Sequence, residues 1–288
     1  MNTFAREALP VLAMIVALLF LLAFIVKMQA VTRQLTGRSP EPLLHAGNVA
    51  LSSTTFDEIT PSEDPMTLGG TINKAALLLA LVFAGAAWVW HVGHAAAPDL
   101  DGVHLYFAIG TAGGFALALL TIYRRTHSPY TSPFYAILEG FSLGAVATMT
   151  ELEWPGVVLQ AVGLTFAIFA CMLALYRSGI IKPTARFTLA VTGATSAIAL
   201  IYLCDLMLSG AGYGVKMIHQ SGALGIAVSL FVLVIAAFNL VMDFKFIETG
   251  VAQRSPKYME WYAAFGLVVT LVWVYLEMLR LLSKIKRR

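Results

Sequence analysis

Charge is what this sequence has least of. Asp, Glu, Lys and Arg together make up 12% of its 288 residues, about half the roughly 25% of an ordinary soluble domain. Cysteine is almost missing too. Cys171 and Cys204 both sit inside apolar runs, which gives no footing for a disulfide framework. The net charge of +3 is small and spread along the chain, so a nucleic-acid partner is set aside. Neither G-x-S-x-G nor H-E-x-x-H nor a P-loop occurs, and no helical stretch sets a His beside a Ser or Cys at useful spacing, so no enzyme is expected. What is present in excess is hydrocarbon. Apolar residues form 59% of the chain, and a mean hydropathy of +0.79 leaves too little polar surface to coat a globule in water. The expected class is an all-α, polytopic membrane helix bundle, with the lipid bilayer as its first partner.

A bilayer core of about 30 Å needs about 20 mainly apolar residues as helix. Eight stretches meet that length: Leu9–Met28, Ala75–Val92, Val103–Tyr123, Ser132–Thr150, Pro155–Tyr176, Phe187–Leu208, Gln220–Met242 and Tyr258–Leu282. The first is set apart from the rest by a polar stretch, Gln29–Thr71, that holds Pro40, Pro42, Pro61 and Pro65. We therefore expect a transmembrane anchor over 1–29, a polar cytoplasmic linker over 30–71 and a seven-helix unit over 72–288. A cleaved signal peptide is the alternative for the first stretch. Its length, the Lys27 that follows and the lack of a small-x-small cleavage site speak against that.

Lys and Arg set the expected orientation. One group of loops holds Lys27, Arg33, Arg38, Lys74, Arg124, Arg125, Arg177, Lys182, Arg186, Lys245, Arg254 and Lys257. The opposite loops hold Asp99, Asp101, Glu151, Glu153 and a single Lys216. The first group is expected in the cytoplasm, with the protein in the plasma (inner) membrane. Lys284, Lys286, Arg287 and Arg288 then fall outside if the last stretch crosses, or return to the cytoplasm if it is re-entrant. A continuous helix is favoured, because Gly266 stands alone and no Pro breaks the run.

Ionisable side chains within such stretches cost several kcal/mol unless paired or wetted, so each is a functional candidate. Glu139 has apolar residues on both sides for two turns. Asp205 lies near the end of its run, where solvation is an alternative. Glu277 and Arg280, three apart on a helix, are placed to pair. Asp243 and Glu260 stand at the ends of consecutive stretches, where a hairpin would bring two carboxylates together as a proton sensor; two wet interfacial residues are the alternative. His91, His94, Asp99, Asp101 and His104 surround one loop, where residue type alone suits a hard or borderline cation and a solvated loop is the favoured reading. Their spacing matches no closed metal motif. Small residues in GTAGGFALA, LEGFSLGAVA and SGALGIAVS point to close helix packing, and Asn239, Gln160 and Thr165 to interhelical hydrogen bonds or cavity lining.

From Met66 onward the chain resembles the Bax inhibitor-1/YccA-like family, the transmembrane Bax inhibitor motif proteins. The stretches that carry the likeness are MTLGGTINKAALLLALVFAGA, SPFYAILEGFSLGAV, PGVVLQAVGLTFAIFACMLALYRSG, SLFVLVIAAFNLVMDFKFIETG and PKYMEWYAAFGLVVTLVWVYLEMLRLLSKI. The last two, with NVALSSTTF upstream, look most like a bacterial subgroup; Leu9–Met28 has no counterpart in it. The resemblance implies seven helices around a central last one. It also implies either pH-sensitive calcium leak or control of membrane proteases and cell-death machinery. In leak members a pair of aspartates on the last two helices senses pH, with a basic residue on an earlier helix as latch. Asp243 matches the first aspartate and Arg124 the basic residue. The second aspartate falls on Thr270 when LRLL is aligned and on Glu260 when YME is aligned. Gln160 stands where some members carry an acid.

The function expected from this is a pH-sensitive calcium or cation leak, with Asp243, Glu260 and Arg124 gating and Glu139, Asp205, Glu277 and Arg280 along the path. Calcium enters only as the permeant ion; no cofactor is expected. A non-conducting regulator that binds membrane proteases or other membrane proteins is the alternative, favoured by the polar linker and the extra anchor.

Overall fold

The computed structural model describes residues 63–96, 100–210 and 222–287. The expected anchor Leu9–Met28, nearly all of the polar linker, Asp99, Lys216 and His219 lie outside the described residues. Seven α-helices account for most of what is described. They are α1 (Leu68–Ala96), α2 (Asp101–Tyr123), α3 (Ser128–Glu153), α4 (Val157–Arg177), α5 (Ala185–Gly210), α6 (Ala223–Ala252) and α7 (Met259–Lys286), with one 3₁₀ turn at Arg125–His127. No strand forms among the described residues beyond an isolated bridge between Pro65 and Pro256. The composition explains this outcome. A chain bathed in hydrocarbon must satisfy its backbone internally, and helices do so within each segment.

Each apolar run from Ala75 onward becomes one helix, and all but α4 run longer than their runs. The end of α6 is the clearest difference. The apolar run stops at Met242, yet the helix continues to Ala252, because Phe244, Phe246 and Ile247 remain buried while Lys245 and Glu248 face outward. The next largest difference is the start of α1 at Leu68, ahead of the apolar run that opens at Ala75.

Among the described residues six of the seven helices are long and apolar enough to cross a membrane; α3 is the exception. The sequence expectation counted its core, Ser132–Thr150, as a crossing on length alone. Packing accounts for the difference. α3 is held between α1 and α2 and also touches α7, so protein rather than lipid surrounds it. Several of its hydroxyls are answered there: Ser142 Oγ lies 3.0 Å from Thr111 Oγ1, Thr121 donates to Thr131 at 2.7 Å, and the Thr148 and Thr150 hydroxyls bond back to their own helix.

The close approach rests on glycine. A Cβ on Gly140 would stand 2.4 Å from the Val82 carbonyl oxygen of α1, and one on Gly144 would stand 2.6 Å from that of Ala86. On the other face, a Cβ on Gly110 of α2 would meet the Leu138 carbonyl oxygen at 2.5 Å. Small residues thus let backbone touch backbone, where lipid offers no hydrophobic drive to hold helices together.

α7 is the axis of the bundle. Of its most apolar 18-residue window 94% is buried, with α1, α3, α4 and α6 packed around it. The helix is unbroken from Met259 to Lys286, which disposes of the re-entrant alternative. Arg287, just beyond it, lies 5.1 Å from the Trp154 ring at the end of α3. The odd-numbered helices therefore all begin at one end of the bundle, here the near end, and finish at the far end.

Substitution separates packing from propensity. Gly140→Ala is expected to lower stability by about 1–3 kcal/mol through overpacking against α1. Gly163→Ala has open space around the added methyl, and is expected to be neutral or to stabilise by up to about 1 kcal/mol. Thermal unfolding in detergent checks both.

Candidate functional site

Ionisable groups gather at three levels along α7. At the near end Glu260 is the second residue of α7 and fully buried. Its Oε1 accepts from the Thr67 backbone N–H at 2.8 Å and from the Thr67 hydroxyl at 2.9 Å. Its Oε2 accepts from Lys74 of α1, and Lys257 stands 3.3 Å from Oε1. The first turn of α7 adds its positive dipole end. Lys74 in turn lies 5.5 Å over the Trp261 ring. Gly70 leaves the room required, since a Cβ there would come within 2.2 Å of Oε1. Short links complete the junction: Met66 N–H donates to the Ser255 carbonyl oxygen and Ser128 Oγ to that of Tyr258 at 3.0 Å. The start of α1 is thus tied to the start of α7.

At the far end Glu277 and Arg280 form the ion pair expected from their spacing, with Nη1 2.9 Å from Oε1 and 3.2 Å from Oε2. Tyr202 of α5 closes the triad. Its hydroxyl donates to Glu277 Oε1 at 2.8 Å and accepts from Arg280, whose guanidinium lies 4.9 Å over the Tyr202 ring. Asp205, one turn further along α5 and buried, is near enough to act on Arg280 electrostatically. Lys284 is 6% exposed and donates to the Gly225 carbonyl oxygen at 3.0 Å and to Ser229 Oγ at 2.8 Å, both in the first two turns of α6.

Between the two ends lie Glu139 and Asp243. Glu139 of α3 is 5% exposed, and its Oε1 receives no hydrogen bond. Its Oε2 faces Gly114 of α2, where a Cβ would stand at 3.3 Å. Asp243 is fully buried on α6, nine residues before that helix ends. At 1.5 Å per residue it lies about 14 Å inside the helix terminus. The sequence had set it at the helix end beside Glu260. With α6 continuing to Ala252, Glu260 meets Thr67, Lys74 and Lys257, while Asp243 belongs to a deeper level.

The remaining candidates are placed as follows. Arg124 is exposed at the end of α2, whereas its neighbour Arg125 lies 5.9 Å over the Tyr262 ring of α7. Thr270 is fully buried at mid-α7 and donates to the Gly266 carbonyl oxygen at 3.3 Å. His94 stacks on Trp90 and bonds its carbonyl oxygen at 2.9 Å. Among the described residues no three His, Cys, Asp or Glu side chains come together as a metal set, and of the histidine-loop candidates Asp99 lies outside them. Asn239 ties α6 to α5 through Thr195 at 2.9 Å. Sequence reasoning missed Lys74, Thr67, Tyr202 and Lys284. Tyr202 carried a usable signal, three residues before Asp205 on one helical face. Thr67 carried none, since only the fold brings it to Glu260.

A family model described as Bax inhibitor 1 like matches residues 28–287 of the chain. No curated protein and no solved structure matches.

The far-end triad makes a stability prediction. Arg280→Leu leaves Glu277 buried without its cation and is expected to cost about 3–5 kcal/mol. The double variant Glu277→Leu/Arg280→Leu removes both charges and is expected to recover most of that loss. Unfolding midpoints of the two variants in detergent decide it.

Proposed function

The chain belongs to the Bax inhibitor 1 like family, and from that premise we propose that it passes calcium or another cation down its gradient, under control of cytoplasmic pH. It is a multi-pass membrane protein. The proposed path follows α7, with Glu139 and Asp243 as carboxylates for a moving cation or proton. One observation carries this reading: the Glu139 oxygen that receives no hydrogen bond on a side chain only 5% exposed. A buried carboxylate oxygen without a partner is rare and costly, and inside a membrane bundle it marks a group kept for use.

The near-end junction supplies the proposed control. Glu260 holds Thr67 and Lys74 of the α1 start against the α7 start. Two lysines, the Thr67 donors and the α7 N-terminus all oppose loss of the Glu260 charge, which therefore calls for a strongly acid near end. That loss leaves the partly buried Lys74 and the exposed Lys257 without their acid. α1 and α7 are then free to part. In this scheme the latch is a carboxylate between lysines, and Asp243 lies at a deeper level. Placing the near end in the cytoplasm follows from the Lys and Arg bias of its loops.

Purified protein in liposomes tests the proposal by calcium flux at acid and neutral pH. Glu260→Gln imitates the protonated state and is expected to raise flux at neutral pH about tenfold, the equivalent of one charge-assisted hydrogen bond lost from the closed state. Glu139→Gln is expected to lower flux at every pH. No flux at any pH overturns the leak. If capture of membrane proteases then survives in Asp243→Asn, the assignment passes to the non-conducting regulator.

A further inference from the structure

At the near end, away from α7, the chain builds a second charged feature. α4 ends at Arg177 and α5 begins at Ala185, and the turn between them leans over α6. Between these three elements is an open cavity of about 580 Å³, whose wall includes Tyr176, Arg177, Lys182, Thr184, Lys245 and Glu248. Three cations thus converge on it from two helices and a turn. The one carboxylate is already engaged: Glu248 accepts from the Tyr176 hydroxyl and lies 3.8 Å from Lys245. The pocket therefore has a net charge of +2, with its single acid turned to neighbours of its own.

Two further features belong to the same place. The Thr184 hydroxyl accepts from the Phe187 N–H at 3.3 Å, which sets the start of α5 and its positive dipole end beside the cavity. Apolar side chains of the same turn and of the first turns of α5 face outward, with Ile180 72% and Leu189 61% exposed. α4 and α5 are both helices that qualify as membrane spans, so their junction stands where hydrocarbon gives way to water. A soluble phosphate would use the cations and ignore these apolar side chains. A zwitterionic headgroup would bring an ammonium to a site whose carboxylate is taken.

We propose that this cavity binds the phosphate headgroup of an anionic phospholipid, with the acyl chains lying along the outer faces of α4 and α5. Basic pockets between membrane helices hold anionic headgroups by this combination of charge and adjacent hydrocarbon. The site is independent of ion conduction, and its test does not read flux.

Native mass spectrometry of the full chain, taken from vesicles of phosphatidylglycerol and phosphatidylcholine, reads the bound lipid directly. The wild type is expected to retain phosphatidylglycerol in preference to phosphatidylcholine. Retention should fall about fivefold for each cation removed in Arg177→Gln, Lys182→Gln and Lys245→Gln. Arg254→Gln, an exposed cation at the same end but outside the cavity, should leave it unchanged. Should the triple variant fail to elute as a folded species, Lys182→Gln alone, in the exposed turn, reads the same fivefold step. Equal retention of both lipids overturns the proposal, as does unchanged retention in the cavity variants. An equal loss in Arg254→Gln, or displacement by glycerol phosphate at concentrations matching the lipid, also overturns it, the last in favour of a soluble phosphate ligand.

Discussion

A helix enclosed on every side cannot turn its charges toward water, and that constraint shapes this bundle. α7 carries Glu260, Glu277, Arg280 and Lys284 into its packed interior. Each ion must then find its partner inside the protein, because an isolated buried charge costs several kcal/mol even after relaxation. The partners come from different elements. Lys74 and Thr67 reach Glu260 from the start of α1, Tyr202 reaches the Glu277–Arg280 pair from α5, and Gly225 with Ser229 receive Lys284 from α6. Burial of one helix thus specifies where three others must end. The two carboxylates, Glu260 and Glu277, stand about 25 Å apart along α7 at 1.5 Å per residue, close to the thickness of a hydrocarbon core. Charge is placed near both interfaces, and the length between is left to apolar packing.

α3 meets the same constraint by another route. It is too polar to face lipid, so the structure covers it with α1, α2 and α7. Covering a helix that closely requires backbones to approach, which is what Gly140, Gly144, Gly85 and Gly110 permit. Once packed, the helix can carry hydroxyls that bond back to their own carbonyl oxygens, together with a carboxylate that no lipid-facing helix would tolerate. Glu139 is therefore a consequence of glycine packing as much as a functional group: a Cβ on Gly114 would stand 3.3 Å from its Oε2 and press the carboxylate aside.

Length and apolarity are local properties, which is why the seven helices were legible in the sequence. The pairing of Glu277 with Arg280 was legible for the same reason, being an i,i+3 relation on one helix. The small-residue stretches GTAGGFALA and LEGFSLGAVA pointed correctly to close packing, though not to which helix they meet, while Gly222 of SGALGIAVS has open space around it. The Asp243–Glu260 hairpin misplaced depth. Hydropathy ends a span where charge begins, whereas the α6 helix ends only where its buried face does, ten residues later. The Lys74–Glu260 and Tyr202–Arg280 contacts join residues 186 and 78 positions apart. No single sequence carries that information, since neither residue type nor spacing indicates which helix ends share a level.

Pinning α7 at both ends also bears on what kind of conductor the proposed leak would be. A rigid helix cannot move at its near end alone without loading the far end, where the Tyr202–Glu277–Arg280 contacts resist. Breaking a buried pair without replacement costs about 3–5 kcal/mol. At about 4 kcal/mol the parted state holds roughly one molecule in a thousand. A pore open for that fraction of time is a slow leak. Neutralising Glu260 removes the near-end share of the cost and leaves the far-end triad in place, so protonation raises the open fraction without abolishing the closed state. A graded response is the expected behaviour of a helix held by two latches of which pH releases one.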